Sequence, residues 1–336
     1  MADAPGPNVP FPPMEAELVS ELPAGRGWRY EPKWDGFRGV CENVGPELAL
    51  WSRNARPLLR YFPELVPLGG LLPPRSALDG EVVIVRDGAL DFDAMQTRLH
   101  PAESRIRRLS AEIPASYVVF DLLVWAGEPV WKRPLEERRA ELERVGSGFR
   151  LSPSTRRLAD ARGWLDRFES LGLDGVVAKR LALPYLPGSR EGVVKVKEHK
   201  TADCVVLGIR WKGSREKIAT LLLGLFRDDG GGLDYVGTCA VAAKTRSDVA
   251  AKVLPLVEDE PGWNPSEPNR WGTGALDQAR VRPELVVEVR YDKVQGDRFR
   301  HGTKLIRWRP DKNPKDCTWR ELRPPKAAGS VEALLA

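Results

Sequence analysis

Short runs of β-branched and aromatic residues recur along the chain, each bounded by Gly, Pro, Asp or Asn. Such runs are typical of strands, whereas apolar residues three or four positions apart on a charged background indicate helices. In the first two hundred residues the pattern predicts strands over Trp28–Pro32, Gly36–Asn43, Leu48–Trp51, Ser76–Val85, Ser116–Trp125, Gly175–Lys179 and Gly192–Val196. It predicts helices over Leu90–Arg98, Leu135–Val145 and Leu158–Leu171. The mixture favours an α+β fold over a regular alternation of strands and helices.

A polar stretch over Lys195–Asp203 precedes a second series of strands. That series covers Cys204–Trp211, Thr220–Arg227, Leu233–Cys239, Leu285–Asp292 and Lys304–Arg309, with an amphipathic helix over Ser247–Val257. Five strands with a helix after the third is the order of a small Greek-key OB barrel. We therefore expect a flexible Pro-rich tail over 1–13, a first domain over 14–200, an OB-fold β-barrel domain over 201–322 and a flexible tail over 323–336.

The composition fits two packed domains and points to a polyanionic partner. The chain has 336 residues, 42% of them hydrophobic, which is ample for packed cores. Its net charge is only +5, but the stretch from Arg290 to Arg320 holds ten Lys or Arg against four Asp or Glu. Such a concentrated basic segment is typical of nucleic-acid binding.

Several classes of protein are disfavoured by the same composition. The four cysteines are dispersed and only three histidines are present, which disfavours a zinc site and a disulfide framework. The N-terminus lacks a signal-peptide pattern, and no uncharged apolar run approaches 18 residues. We therefore expect a soluble cytoplasmic protein without a membrane partner.

The sharpest chemical pattern is Glu31-Pro-Lys-Trp-Asp-Gly-Phe-Arg38. It places Lys33 two residues before an Asp-Gly turn, at the end of a predicted strand. With the composition of this chain, Lys-x-Asp-Gly-x-Arg arises by chance on the order of 0.01 times per sequence. If this pattern stood alone, its lysine would be an ordinary surface residue beside a turn in roughly half of the cases.

The segment around Lys33 resembles the nucleotidyltransferase motif of ATP-dependent DNA ligases and mRNA capping enzymes. Further segments resemble the remaining motifs of that superfamily in the same order: Ser52–Asn54, Leu78–Glu81, Val118–Leu123, Asp174–Lys179, Val194–Lys197 and Arg307–Lys312. The similarity covers about residues 14–322. The motif sequences resemble those of the two-domain bacterial ligases of the actinobacterial ligase C type. The resemblance thus implies a nucleotidyltransferase (adenylation) domain of antiparallel sheets and flanking helices, followed by an OB-fold domain.

The resemblance implies that Lys33 attacks the α-phosphorus of ATP and forms lysyl-AMP while pyrophosphate leaves. A nucleophilic amine must be neutral, whereas the pKa of free lysine is about 10.4. Cationic neighbours, desolvation or a bound metal ion would have to lower that pKa. Lys179, Lys195 and Lys197 are the expected neighbours and phosphate contacts, and Lys195 and Lys197 are expected to be catalytic.

Other residues are expected to hold the metal and the base. Glu81 and Asp174 are the candidate ligands of Mg²⁺ or Mn²⁺, because hard divalent cations prefer oxygen ligands. Asp174 departs from the glutamate that is usual in the family. Phe120 is expected to stack on adenine, although a core aromatic is the commoner fate of such a residue. Glu31 and the backbone beside it at Pro32 are expected to read the amino edge of the base.

Two arginines and a set of basic residues are the candidate contacts for nucleotide and DNA. Arg38 and Arg53 resemble the ribose and DNA 5′-phosphate contacts of the family, and arginine suits phosphate because it pairs bidentately. The candidate contacts to the DNA backbone are Arg53, Lys212, Arg215, Lys217, Arg298 and Arg300.

The last motif falls in the expected OB domain. Arg309, Asp311 and Lys312 resemble the residues that orient the leaving pyrophosphate in the first step. In the family they must then move away for DNA to bind. This implies a hinge near Lys197–Asp203.

The sequence therefore predicts an ATP-dependent DNA ligase that seals nicks in duplex DNA. Its steps would be adenylation of Lys33, transfer of AMP to a 5′-phosphate, and attack by the 3′-hydroxyl. One alternative is an RNA ligase or capping-type guanylyltransferase, and another is a non-catalytic OB nucleic-acid binder. NAD is disfavoured as donor because the chain shows neither the extra N-terminal domain nor the cysteine zinc site of NAD-dependent ligases. DNA repair or recombination, end-joining partners, a monomeric state and a nucleoid location are implied by the family alone.

Overall fold

The computed structural model describes residues 8–45, 47–168, 170–197, 200–213, 215, 217–258, 277–323 and 329–335. The chain divides into two compact units. One comprises Met1–Glu198 together with Pro325–Ala336, and the other comprises His199–Pro324. Within the described ranges, every helix is too short or too polar to cross a membrane.

The first unit is built from short strands and four helices in its described N-terminal part. Its strands are β1 (Glu17–Leu18), β2 (Trp28–Pro32), β3 (Phe37–Asn43), β4 (Leu48–Ser52), β5 (Ser76–Val83), β6 (Val85–Arg86), β7 (Ala89–Leu90), β8 (Ser116–Val124), β9 (Arg150–Leu151), β10 (Val176–Arg180) and β11 (Val193–Val196). Its helices are α1 (Phe92–Arg98), α2 (Glu103–Glu112), α3 (Leu135–Val145) and α4 (Leu158–Phe168). Short 3₁₀ helices cover Leu59–Tyr61, Pro63–Gly70 and Val130–Lys132.

Two largely antiparallel sheets organise this unit. One has the strand order β4-β3-β5-β8-β9 and the other has the order β1-β11-β10-β2. Side chains of β8 alternate between two hydrophobic cores, as the period of a strand requires. Val118 and Phe120 pack in the core that includes β2 and β10, while Tyr117 and Val119 pack in a core on the other side. Strand β8 is therefore buried on both faces.

Most predicted elements of this unit exist, with shifted ends. Helix α1 begins at Phe92 rather than at the predicted Leu90. The side chain of Asp91 accepts a hydrogen bond from the N–H of Ala94 at 2.8 Å and caps the helix, while Leu90 pairs in the β6–β7 hairpin. Helix α2 was not predicted from the sequence. Only Ile106 and Leu109 of its ten residues are buried, so its apolar pattern is weak.

The second unit is dominated by strands. They are β12 (Lys200–Lys212), β13 (Lys217–Phe226), β14 (Leu233–Ala240), β15 (Val257–Glu258), β16 (Gln278–Val281), β17 (Val286–Tyr291), β18 (Val294–Gln295), β19 (Arg298–Phe299) and β20 (Lys304–Trp308). Helix α5 covers Arg246–Val253, and 3₁₀ helices cover Ala243–Thr245, Leu254–Leu256, Pro314–Asp316 and Trp319–Leu322.

The long strand β12 is the centre of this unit. It pairs along one edge with β13, and along the other edge first with β17 and then with β16. Strand β13 continues to β14, and β17 continues to β20. The five predicted strands are all present, but in the described part of the unit their ladder is not closed into the predicted barrel. An isolated β-bridge between Cys239 and Thr303 links β14 to the residue before β20.

The C-terminal residues depart from the flexible tail that the sequence predicted. Val331–Leu335 forms a helix, α6, that belongs to the first unit. Val331 is fully buried, and its N–H donates to the carbonyl of Gly88 at 2.8 Å. Leu334 and Leu335 pack against the same core. The spacing i, i+3, i+4 gives this short segment one apolar face, and burial of that face orders it.

The beginning of the chain is partly ordered as well. Residues 1–7 of the predicted Pro-rich tail lie outside the described residues. Further along, Pro13 and Met14 are buried, and the N–H of Gly188 donates to the carbonyl of Pro12 at 2.8 Å. The segment before β1 therefore lies along the chain that leads into β11.

Candidate active site

A cavity of about 270 Å³ opens where residues of the two sheets of the first unit meet. Nine of the residues predicted to bind nucleotide or DNA line it: Glu31, Pro32, Lys33, Arg38, Arg53, Glu81, Phe120, Lys179 and Lys195. They come from positions up to 164 residues apart in the sequence, counted from Glu31 to Lys195. The fold therefore brings the predicted motifs of this unit to one place.

Lys33 is positioned by hydrogen bonds of its own backbone. Its N–H donates to the carbonyl of Gly175 at 2.9 Å, and its carbonyl accepts from the N–H of Asp174 at 2.9 Å. Gly175 has φ +131°, and a Cβ there would lie 2.0 Å from the carbonyl oxygen of Val196, so a side chain is excluded. This close packing brings the Nζ of Lys33 within 2.6 Å of the Oδ2 of Asp174.

Asp174 is shared by two lysines. Its Oδ2 also lies 3.0 Å from the Nζ of Lys197. Burial raises the pKa of Asp174, but Lys33 and Lys197 outweigh burial and hold this pKa below its usual value. The pKa of Lys195 is lowered by burial and then by the charges of Lys33 and Lys197. Lys33, Lys195 and Lys197 thus form one cationic cluster around a carboxylate, at the end of the site where phosphates were expected.

Glu31 and Lys179 form an ion pair that lines the same cavity. The Nζ of Lys179 donates to the Oε2 of Glu31 at 2.8 Å and to the carbonyl of Phe120 at 3.3 Å. The Oε1 of Glu31 is buried and has no hydrogen-bond partner among the described residues. An unsatisfied buried acceptor is costly, so a ligand N–H donor would be held well there. The exocyclic amine of adenine has this chemistry.

Phe120 serves the core and the cavity at once. It is 9% exposed and packs in the core between the sheets, yet its ring also lines the cavity. The Cζ of Arg38 and the Nζ of Lys179 each lie 4.7 Å from the centre of the ring. The two interpretations of this residue, core aromatic and base platform, are therefore compatible.

Arg38 is held by a buried network that the sequence analysis missed. It donates to both carboxylate oxygens of Asp79 at 2.6 Å and to the carbonyl of Met14 at 3.1 Å. The hydroxyl of Tyr185 donates to Asp79 at 2.6 Å and accepts from the N–H of Met14 at 2.9 Å. A carboxylate within an apolar strand signals a cationic partner, because a buried charge must be paired. The sequence does not say which cation it will be.

The two predicted metal ligands fit a divalent cation in part. Burial raises the pKa of Glu81 to about 7, against the opposing charges of Lys33 and Arg38. The described residues contain no group of three or more His, Cys, Asp or Glu side chains that would hold a metal on their own. Mg²⁺ typically takes one or two carboxylates together with substrate phosphates and water. Glu81 and Asp174 therefore fit an ion that arrives with a nucleotide.

Arg53 lies at the rim of the cavity with two unpredicted neighbours. It is 65% exposed, and its Nη1 lies 3.7 Å from the Oε1 of Glu15. Arg190 pairs with the other oxygen of Glu15 at 3.0 Å. Glu15 and Arg190 both line the cavity, but no local sequence pattern distinguishes them from ordinary surface charges.

The predicted pyrophosphate residues lie in the second unit and are paired within it. Arg309 contacts Asp311 at 2.8 Å and Asp203 at 2.7 Å. Lys312 contacts Asp203 at 2.9 Å and Glu321 at 2.5 Å. The hydrogen bond from Arg309 lowers the pKa of Asp311 to about 2. Arg309 and Lys312 thus meet at Asp203, a residue of the predicted hinge, and Asp311 joins them through Arg309.

The remaining candidate DNA contacts lie at two hairpins of the second unit. Lys212 and Lys217 face each other where β12 turns into β13, and both are exposed. Arg215 lies in that turn and pairs with Asp277 at 2.9 Å. In the β18–β19 hairpin, Arg298 lies 5.2 Å from the ring of Tyr235, and the N–H of Arg300 donates to the carbonyl of Lys293 at 2.9 Å.

Comparison with known proteins establishes the family. Residues 13–197 match the ATP dependent DNA ligase domain, and residues 214–312 match the ATP dependent DNA ligase C terminal region. Together the two matches cover most of the chain. The chain belongs to the ATP-dependent DNA ligase family.

The alignments with related proteins cover nearly the whole length of this ligase. It is 42% identical over 343 residues to DNA ligase C of Mycobacterium tuberculosis, covering 94% of each chain. It is 32% identical over 349 residues to the multifunctional non-homologous end joining protein LigD of Pseudomonas aeruginosa, covering 98% of this chain and 39% of LigD. A solved structure of a Lig E DNA ligase shares its fold with a TM-score of 0.53 at 16% identity, covering 88% of this chain and 100% of that chain. The predicted ligase C type and the predicted pair of adenylation and OB-fold domains are confirmed.

Proposed function

We propose that this ATP-dependent ligase seals nicks in duplex DNA through AMP carried on Lys33. The observation that carries the proposal is the position of the Lys33 amine. It lies in the cavity 2.6 Å from Asp174, which it shares with Lys197, and Lys195 and Phe120 line the same cavity. This arrangement suits an amine that attacks an α-phosphorus while cations stabilise charge on the non-bridging oxygens.

Residues that line the cavity would orient the nucleotide. Phe120 stacks on adenine, and the unsatisfied Oε1 of Glu31 accepts a hydrogen bond from the amino group of the base. Lys179, Lys195 and Lys197 contact the phosphates, and Pro32 and Arg38 contact the nucleoside. A Mg²⁺ or Mn²⁺ ion held by Glu81 and Asp174 with the phosphates would neutralise their charge and orient them for in-line attack.

The proton of Lys33 sets the condition for the first step. In the structure its ammonium is paired with Asp174, and a protonated amine cannot attack phosphorus. Engagement of Asp174 by a cation would break the ion pair that holds Lys33. Lys195 and Lys197 would remain beside the amine, where their charges can stabilise the phosphate oxygens.

The later steps use the DNA contacts. Arg53 contacts the 5′-phosphate that receives AMP, and Lys212, Arg215, Lys217, Arg298 and Arg300 contact the DNA backbone. Arg309, Asp311 and Lys312 orient pyrophosphate in the first step and then withdraw through a hinge near Lys197–Asp203. Because phosphate contacts dominate such binding, we expect weak DNA affinity that falls steeply between 50 and 300 mM salt, on the order of tenfold or more.

RNA ligation and mRNA capping share the same covalent chemistry and remain the alternative. The 42% sequence identity to DNA ligase C, over 94% of each chain, favours DNA as the substrate. The similarity to an end-joining protein supports a role in DNA repair or recombination, with end-joining proteins as partners. We propose that the enzyme works as a monomer, and a DNA substrate would place it at the nucleoid.

The test is the formation of lysyl-AMP. The enzyme is incubated with [α-³²P]ATP and Mg²⁺ and resolved on a denaturing gel, after pyrophosphate treatment to discharge any AMP already bound. The wild type and Lys244→Ala, which changes an exposed lysine of the second unit, should be labelled, and Lys33→Ala should not. Labelled wild type should then seal a 5′-phosphorylated nick in DNA. Preferential labelling by GTP would contradict the proposal, and so would equal labelling of Lys33→Ala.

A further inference from the structure

The segment around Glu15 is fixed along the chain that leads into β11. The N–H of Glu15 donates to the carbonyl of Ser189 at 2.8 Å, and two residues later β1 pairs with β11 from Glu17 to Val194. Met14, next to Glu15, is tied to Arg38 through its carbonyl. Glu15 is therefore placed at the rim of the cavity by main-chain contacts on both sides.

The carboxylate of Glu15 is surrounded by cations that line the same cavity. The Nε and Nη2 of Arg190 both donate to its Oε2, at 3.1 and 3.0 Å. The Nη1 of Arg53 lies 3.7 Å from its Oε1. The hydrogen bond from Arg190 lowers the pKa of Glu15 against burial, and the charges of Arg53 and Lys195 lower it further. A small oxyanion in contact with two guanidinium groups has contacts typical of a bound phosphate. Lys195 lines the same cavity.

We propose that Glu15 is an internal counter-ion that takes the place of a substrate phosphate between Arg53 and Arg190. This inference rests on the proposed function. A phosphate monoester carries up to two negative charges and three acceptor oxygens, so it displaces the single carboxylate. The Glu15 side chain is 31% exposed and can turn to solvent when it is displaced.

The counter-ion makes the rim selective for a strongly charged ligand. A 5′-phosphate at a nick is a monoester, whereas the sealed product carries a phosphodiester with a single charge. The diester competes less well with the carboxylate, so Glu15 can pair with the arginines again after sealing. Glu15 thus weakens binding of the 5′-phosphate and favours release of the sealed strand.

The test compares Glu15→Gln with a matched control, Glu17→Gln. Glu17 is an exposed carboxylate two residues further along the same segment, so both variants lose one negative charge. Adenylated enzyme in EDTA, which prevents AMP transfer, is titrated with fluorescent nicked duplexes that carry either a 5′-phosphate or a 5′-hydroxyl. Affinity for pyrophosphate and the KM for ATP are measured in parallel with discharged enzyme.

We expect Glu15→Gln to bind the 5′-phosphate nick about fivefold to tenfold more tightly than Glu17→Gln does, because each exposed ion pair that phosphate must break is worth up to about fivefold. Binding of the 5′-hydroxyl nick should be the same in both variants. The double variant Glu15→Gln/Arg190→Ala should lose the gain. If Glu15→Gln binds ATP or pyrophosphate more tightly but not the nick, the phosphate that displaces Glu15 belongs to the nucleotide and not to the DNA.

Two results would overturn the proposal. Equal affinities of Glu15→Gln and Glu17→Gln for every phosphate would mean that Glu15 is not displaced. Weaker phosphate binding by Glu15→Gln would indicate that Glu15 orients Arg190 for phosphate binding and is not displaced by it. Both results are read with enzyme that forms lysyl-AMP, so they are distinguishable from a failure of the proposed function, in which the wild type would form none.

Discussion

Replacement of Glu81 by glutamine tests the electrostatics of the site. Burial raises the pKa of Glu81 from 4.5 to about 7 in the folded protein. The folded state therefore binds this proton more tightly than the unfolded state does, and the free energy of unfolding falls as pH rises from about 4.5 to 7. At about 1.4 kcal/mol per pKa unit, the loss attributable to Glu81 is on the order of 3 kcal/mol once the pH exceeds 7.

Glutamine is nearly isosteric with glutamate and does not titrate. The first unit of Glu81→Gln should equal the wild type in stability near pH 4.5 and exceed it by about 2–3 kcal/mol at pH 8. The measurement is urea unfolding of the full chain without nucleotide or metal, read by pulsed hydrogen exchange of peptides from β5. Glu17→Gln, which changes an exposed carboxylate, serves as the control and should show no such pH-dependent gain. A difference between Glu81→Gln and wild type that does not change with pH would refute the reasoning.

Three further substitutions probe other parts of the first unit. Phe120→Leu keeps an apolar side chain but removes the ring, so we expect the KM for ATP in lysyl-AMP formation to rise about tenfold while labelling at saturating ATP persists. Arg138 pairs with the buried Asp121 at 2.8 Å, so Arg138→Leu leaves a buried carboxylate without its cation. Denaturant unfolding should show that the free energy of unfolding falls by about 3–5 kcal/mol, and changing Asp121 to leucine as well should largely restore it. Val331→Asp buries a charge under α6 and should destabilise the first unit by about 2 kcal/mol or more, whereas Glu332→Gln on the exposed face should not, as thermal unfolding would show.

The sequence was sufficient where local pattern decides structure. The runs that form β2 and the helix α3 have the predicted bounds, because apolar periodicity and flanking turn residues are local signals. The cavity residues from Glu31 to Lys195 were found because each lies in a motif whose order the family shares. Periodicity could not decide the role of Phe120, since β8 is buried on both faces and both sets of its side chains are mainly apolar.

Long-range pairing was beyond the sequence. The bond from Tyr185 to Asp79 joins residues 106 positions apart, and the pair of Arg190 and Glu15 joins residues 175 positions apart. Such pairs depend on the register of strands in the two sheets, which no single strand encodes. The order of α6 was missed for a related reason. A helix of five residues is unstable alone and forms because a distant core accepts Val331.

The pairs around the cavity share one feature that bears on how the ligase works. Lys33 and Lys197 share Asp174, Lys179 is paired with Glu31, and Arg190 is paired with Glu15. Several of the cations proposed to bind phosphate thus have carboxylate partners within the protein. Internal pairing lowers the cost of bringing like charges together in a partly buried site. It also means that a phosphate must compete with a carboxylate for each cation, so a ligand with several charges, such as a triphosphate with its metal ion, is favoured over a singly charged one. The same competition would release Lys33 from its pair with Asp174 when nucleotide and metal draw that carboxylate away.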